Sequence, residues 1–451
     1  MFKRTLHGSG YRDPELLVGL DLGTNKVTVV VAERENNFGE AQIIGIGQAQ
    51  SHGIRKGLIV HLDQAVRSVK QALGDAENMV GLELTQATVA FSGGEVTSVR
   101  SKGMISLGRT PRAVMQLDIE RVIEAAQADV SVPQNQTIVH TIPVEYSLDG
   151  NNGVDDPLGM TGMRLDIDLE SVIVPSAHIQ NVLNCVEKAG IEVLGLVIKP
   201  LASALGVLSN EEAIAGAVLV DVGGGTSGVA IFADGRPKHL AIIPVGGDHI
   251  TNDVATVMKI PLNKAEDPKK EVAFCYENDN QNNYEFDHMG RNYVCDMQDL
   301  TDVVQCRIEE LFHVLVQAEI EKAGLPMLPA GIVITGGVSK TNGIDKYLSQ
   351  VMDMQVRVAL PLDSSKMPPG RNGPEYACAA GIIRYALERE RDNYRYMEPW
   401  AQTLKNQGRY PMNVPDRSPR LSPAGPDDTQ SSIGGITGFI DFIKRMFREI
   451  F

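Results

Sequence analysis

Cysteine is scarce and scattered in this chain. Cys185, Cys275, Cys295, Cys306 and Cys378 are odd in number, and none stands in a Cys-x-x-Cys or Cys/His cluster. That pattern argues against a disulfide framework or a zinc centre and reads as reduced, cytosolic thiols. Long apolar runs are missing too. No 18 consecutive apolar residues occur, so no helix is expected to span a bilayer and any membrane contact has to be peripheral. Met1 to Asp13 lacks the unbroken apolar stretch of a secretion signal. Basic charge is in deficit: 42 Lys and Arg against 57 Asp and Glu leave a formal net charge of -15. With no basic patch to offset it, the composition argues against nucleic acid as a partner. What remains is ample material for cores, since 43% of the 451 residues are hydrophobic, enough for two to four domains.

The chain does contain one short pattern written twice, 200 residues apart: Val18-Gly-Leu-Asp21-Leu-Gly23-Thr24-Asn25-Lys26-Val and Val218-Leu-Val-Asp221-Val-Gly223-Gly224-Gly225-Thr226-Ser. Each is an apolar strand, an acid, a glycine turn and a second strand. One such unit has nothing to close against, so two copies are expected to form facing halves of a single site. The glycines let backbone N–H groups converge on phosphate oxygens, Asp21 and Asp221 can orient a hydrated Mg²⁺, and Thr24 and Thr226 add hydroxyl donors. A lone Asp-x-Gly turn is an ordinary hairpin former; two in register are much harder to dismiss. A third element, Ala330 to Thr335 followed by Gly336-Gly337, reads as a buried strand entering a turn whose bare backbone admits a flat ring or a ribose.

Around these turns the pattern is α/β. A strand, a hairpin and the strand Gln42 to Ala49 precede a helix with Ala65, Val66, Val69, Ala72 and Leu73 on one face. Ala87 to about Val174 shifts to short strands separated by glycines, the signature of an inserted subdomain. Ser176 is read as capping the next helix, closed by Gly190. A polar stretch from Glu277 to Asp287 marks a second insertion before a long helix, Leu300 to Lys322. Parallel or mixed sheets covered on both faces, in two lobes with a cleft between them, are the expected architecture. From Tyr396 to Gly435 six prolines stand among polar residues, a composition read as a disordered tether. Beyond it Ile436, Phe439, Ile440, Ile443, Met446, Phe447 and Ile450 recur at helical spacing, opposite Asp441, Lys444, Arg445 and Arg448. That stripe suits reversible, mainly hydrophobic anchoring to a bilayer; folding back onto its own core or a partner is the alternative.

With Asp21 and Asp221 in two phosphate turns and Thr335-Gly336-Gly337 in an adenosine turn, the chain resembles the actin-like ATPase superfamily. Pro200-Leu-Ala-Ser-Ala and Tyr376-Ala-Cys-Ala-Ala-Gly381 look like that superfamily's two connecting helices. His140-Thr-Ile-Pro143-Val-Glu-Tyr146 and the segment Gly150 to Leu165 narrow the resemblance to the FtsA family of bacterial cell-division proteins, from Leu16 to Phe451. The resemblance implies ATP with Mg²⁺ held by Asp21, Gly23, Thr24, Asn25, Lys26, Asp221, Gly223, Gly224, Gly225, Thr226, Gly336 and Gly337. Glu266 and Lys269, in a stretch similar to the family's Ala-Glu-x-x-Lys, would reach the ribose and adenine; Pro268 between them is expected to weaken that helix unless it falls in the first turn. Lys199 stands where many relatives in the superfamily carry a water-polarising Glu, which implies slow turnover at most; it either pairs with phosphate or points into solvent. Arg307 and Glu310, on one helix face, resemble the pair that contacts the tail of the tubulin-like protein FtsZ; an ordinary intrahelical ion pair is the other reading.

The implied organisation is a first actin-like lobe of 14–86, 174–214 and 361–395, an interaction subdomain at 87–173, a second lobe core of 215–258 and 328–360, and an outer subdomain at 259–327. A linker at 396–435 and a membrane helix at 436–451 complete it. The implied protein polymerises, tethers the FtsZ ring to the cytoplasmic face of the membrane at the septum and recruits later division proteins. A small-molecule kinase or hydrolase of the same fold would have no use for the lipid-seeking tail, and a pilus-assembly adaptor ordinarily lacks one.

Overall fold

The computed structural model describes residues 15–34, 41–92, 94–272, 283–392 and 394–401. The amphipathic stripe from Ile436 to Ile450 and most of the linker lie outside the described residues.

Two sheets repeat one topology. In the first, the order is Glu192–Ile198, Gln86–Phe91, Glu15–Leu22, Lys26–Arg34, Gln42–Gln50; in the second it is Val356–Val358, Ile332–Thr335, Ala217–Val222, Ser227–Ala233, Arg236–Ile243. The duplicated hairpins share a register as well as a sequence: Asp21 lies opposite Thr28 and Asp221 opposite Gly228, seven residues on in each case. Each acid also ends a parallel pairing, with Ala90 in one lobe and Thr335 in the other. The central strands read as continuous apolar runs because both faces are covered; Val29, Val30, Val31 and Val218, Leu219, Val220 are all fully buried.

Between the sheets the helices Lys199–Val207 and Ala377–Arg391 pack face to face. Their contact is so close that a Cβ at Gly206 would sit 2.2 Å from the Ala377 carbonyl, and one at Gly381 would sit 1.7 Å from that of Ala202. Small side chains at this crossing bring two backbones together and carry each helix N-terminus to the mouth of the cleft. One of those N-termini presents Lys199.

The inserted subdomain is a four-stranded antiparallel sheet containing Thr97–Ser106, Gln136–Leu148 and Arg164–Pro175, with the helix Gln116–Ala128 against it. It has its own core of Ile105, Val122, Ile123, Leu165, Ile167 and Leu169. Its start differs from the boundary expected at Ala87, because Gln86–Phe91 pairs in parallel with strands of the first lobe and is part of that sheet. The segment from Gly150 to Arg164 is built rather than loose: Asp149 accepts from the Met163 and Arg164 amides at 2.9 and 2.8 Å, and Thr161–Gly162 pairs with Arg112–Ala113. Ser176 does not cap its helix. Its hydroxyl meets that of Thr137 at 2.5 Å, and Pro175 holds the cap position.

Three further expectations are corrected by packing. The linker does not begin at Tyr396: Tyr396, Met397 and Trp400 are buried, and Met397 exchanges backbone hydrogen bonds with Thr141 of the inserted subdomain. The polar, proline-marked composition around Pro399 conceals two aromatic anchors whose burial decides the matter. The long helix is interrupted: Met297–Glu309 passes into a π-helical turn, Glu310–Val316, before Gln317–Ala323 completes it. Pro268 lies past the first turn of Leu262–Val272, yet the helix runs through it. Ion pairs from Glu266 to Lys269 (2.6 Å) and Lys270 (3.2 Å) straddle the proline, and buried Ala265 anchors the preceding turn.

Candidate functional site: a cleft between duplicated turns

The two glycine turns face one another and touch. A Cβ on Gly224 would fall 2.3 Å from the Asn25 amide nitrogen, and one on Gly225 would fall 2.7 Å from the Thr24 hydroxyl. Asn25 also reaches across to Asp248 at 2.9 Å, and the Ser92 and Thr226 hydroxyls stand 3.4 Å apart. Beneath and beside this contact lies a cavity of about 470 Å³, within the range of small-molecule and cofactor sites.

Nearly every residue singled out in the sequence lines that cavity: Asp21, Gly23, Thr24, Asn25, Lys26, Asp221, Gly223, Gly224, Thr226, Glu266, Lys269, Gly336 and Gly337. Gly225 is packed against Thr24 and Lys56 instead. Gly336 has φ +87, and a Cβ there would meet an Asp221 carboxylate oxygen at 2.4 Å, so both conformation and space require glycine. The amides of Gly247 and Asp248, opening the helix Gly247–Val257, donate to the Gly223 and Gly224 carbonyls at 2.9 and 2.8 Å and fix the second turn.

The polar groups are held in a definite order. Lys199 Nζ lies 2.7 Å from Asp21 Oδ1, and Ser203 donates to Asp221 Oδ2 at 2.5 Å. Burial pulls the Lys199 pKa down, but Asp21, with Cys378 and Asp221, together more than offset it, so the ammonium is retained. It is paired with Asp21 and mostly buried rather than turned out to open solvent. Asp21 and Asp221, expected to orient a hydrated Mg²⁺, thus already have an ammonium and a hydroxyl as partners. Lys26 sits with its Nζ 3.8 Å over the Tyr376 ring, and burial lowers its pKa to about 8. On the second-lobe side Lys269 donates to the Gly247 carbonyl and the Thr251 hydroxyl, and pairs with Glu266. Burial pushes the Glu266 carboxyl up; Lys269, the Thr251 hydroxyl and Lys270 together outweigh it and hold the group below its usual range.

Sequence reasoning missed Gln48, Lys340, Glu375 and Tyr376, which also line the cavity. Tyr376 donates to Gln48 at 2.7 Å, and Lys340 pairs with Glu375 at 3.1 Å. The only sequence signal for them was adjacency, Lys340 three residues past Gly337 and Tyr376 heading the second connecting helix. Arg307 and Glu310 are brought together, as their spacing implied, but Arg307 also makes a two-point contact with Asp253 at 2.6 and 3.0 Å. Its charge is therefore shared between two acids, and it is not among the residues that line the cavity.

Comparison with known proteins follows this geometry closely. The family model for cell division protein FtsA matches residues 218–381, and that for the SHS2 domain inserted in FtsA matches residues 93–173. The cell division protein FtsA of Pseudomonas aeruginosa is 35% identical over 410 residues, covering 88% of this chain and 97% of that protein. The chain belongs to the FtsA family of cell-division proteins. Its FtsA relative in Bacillus subtilis is 33% identical over 381 residues, 84% of each chain. Among solved structures the PilM-PilN type IV pilus biogenesis complex matches with a TM-score of 0.59 at 16% identity, over 82% of this chain and 98% of that one. MreB5 of Spiroplasma citri bound to ADP matches with a TM-score of 0.51 at 15% identity, over 84% and 98%. These likenesses establish the actin-like fold. The SHS2 match begins at residue 93, in keeping with the sheet pairing that assigns Gln86–Phe91 to the first lobe. Among the described residues no helix is long and apolar enough to cross a membrane.

Proposed function

We propose that this FtsA-family chain binds ATP between its lobes, assembles with further copies of itself and tethers an FtsZ ring to the cytoplasmic membrane at the septum, where it recruits later division proteins. The observation that carries the reading is the pair of duplicated turns meeting over one cavity, with Asp21 and Asp221 at equivalent register positions and Gly336 against Asp221. Backbone amides at glycine turns suit phosphate oxygens. The adjoining Glu266–Lys269 pair suits a ribose and base, and Lys26 and Lys340 bring positive charge to the same space. Two structures of MreB5 from Spiroplasma citri are bound to ADP and to AMPPNP, which supports a nucleotide here.

Turnover is expected to be slow. A protonated lysine at position 199 cannot take a proton from water, so the cleft acts as a clamp whose nucleotide sets the relation between lobes. Output at the membrane rests on the stripe Ile436 to Ile450. Partial insertion of seven such side chains is worth on the order of 5 to 10 kcal/mol before the cost of association. The FtsZ tail is assigned to the surface around Arg307 and Glu310.

Co-sedimentation with anionic lipid vesicles and an FtsZ tail peptide tests both ends at once. The full chain should pellet with vesicles and carry the peptide down; removing Ile436–Phe451 should abolish pelleting, and Arg307→Glu should keep pelleting while losing the peptide. Equal pelleting with and without the stripe, or unchanged peptide recovery with Arg307→Glu, contradicts the respective half.

A further inference from the structure

Resting on the nucleotide reading of the cavity, we propose that the Lys199 ammonium takes the place of a divalent cation beside Asp21 and Asp221, so that a nucleoside triphosphate binds with little dependence on Mg²⁺.

A site for hydrated Mg²⁺ offers carboxylate oxygens to the ion and its waters, usually one or two carboxylates together with the ligand's phosphates. Here both carboxylates are engaged by one face of one helix. Lys199, its first residue, contacts Asp21 Oδ1 at 2.7 Å, and Ser203, one turn on, donates to Asp221 Oδ2 at 2.5 Å. The Lys199 and Asp21 side chains are only 16% and 9% exposed. In such a setting a buried charge persists because it is paired, and breaking the pair leaves an uncompensated ion. The donor set therefore fits a built-in ammonium better than it fits Mg²⁺.

Charge balance says the same. The cavity lining carries five lysines, Lys26 and Lys199 among them, against four carboxylates, Asp21 and Asp221 among them. Two uncompensated carboxylates would repel a polyphosphate and require a metal to offset them; here lysines already outnumber the carboxylates. Gly23 has to be glycine, since a Cβ there would meet the Lys26 carbonyl at 2.3 Å, and Lys199 lines the cavity beside this turn. Because Lys199, Gly23 and Thr24 line one cavity, the lysine has access to whatever the turn binds.

The test is equilibrium binding of ATP to the full chain in Mg²⁺ and in EDTA, for the wild type and for Lys199→Gln. Wild-type affinity should differ by less than about threefold between the two conditions, whereas Lys199→Gln should lose about tenfold or more in EDTA and recover with Mg²⁺. A wild-type affinity that collapses tenfold in EDTA overturns the proposal, as does a folded Lys199→Gln variant that binds equally in both. Should the variant fail to fold, seen in its thermal melt, the wild-type comparison decides alone. Absence of saturable ATP binding in either condition is a different result, and removes the nucleotide reading itself.

Discussion

Lys26 carries the most informative titration in the cleft. Burial lowers its pKa from the usual lysine value to about 8, against the opposing pull of Glu375 and Asp21. For a lysine whose folded pKa is depressed, the charged form costs stability below that pKa, and the fold gains as pH rises from about 8 toward 10.5. A phosphate ligand has the opposite preference, because it favours the ammonium. Affinity for ATP should therefore be full below about pH 8 and decline by several-fold, up to about tenfold, between pH 7.5 and pH 9. Lys26→Arg, which stays charged, should flatten that decline. An affinity that is flat with pH in the wild type would show that Lys26 does not meet the phosphates. The glycine turns around it were legible in the sequence because turn chemistry is local: an acid, glycines and a hydroxyl within six residues carry their own geometry. Gln48, Lys340, Glu375 and Tyr376 were not, because tertiary packing alone brings them to the cavity.

Among the elements, the strands and helices that frame the cleft followed from apolar periodicity, while their boundaries failed where burial overruled composition. The clearest case is the segment after the last helix. Its prolines and polar residues suggested a tether from Tyr396 onward, yet Glu398 is clasped by Arg389 at 2.5 Å, Tyr385 at 2.6 Å and the Trp400 indole at 3.0 Å. Together with the Met397–Thr141 bridge, this makes the segment a strap joining the first lobe to the inserted subdomain just ahead of the linker. His140 lies under the same strap, fully buried, and receives the Ile198 amide at 3.2 Å. Trp400→Ala should cost about 3–5 kcal/mol, the usual range for emptying a buried aromatic site. In urea unfolding of the full chain the transition reporting the first lobe should move accordingly; a shift below about 1 kcal/mol would mean the strap is peripheral to stability. The π-helical turn after Glu309 had no signal in the sequence, since its apolar spacing still fits an ordinary helix.

At the scale of the molecule, the duplication read from two short segments holds through to architecture: the same strand order, the same hairpin register and two connecting helices crossing at Gly206 and Gly381. The cleft follows because two half-sites meet only where the copies face. An acidic chain with a cavity of this size, a separate inserted subdomain and the apolar stripe proposed to bind lipid suits the proposed assembly at a surface better than turnover of a metabolite. Its central claim is that the facing turns hold one ATP. Titrating a fluorescent ATP analogue onto the full chain and onto Gly336→Val tests it most directly. Saturable binding at one site per chain, lost in the folded variant because the new side chain enters the space beside Asp221, is the predicted result; no saturable binding to the wild type, or equal binding to the variant, would contradict it.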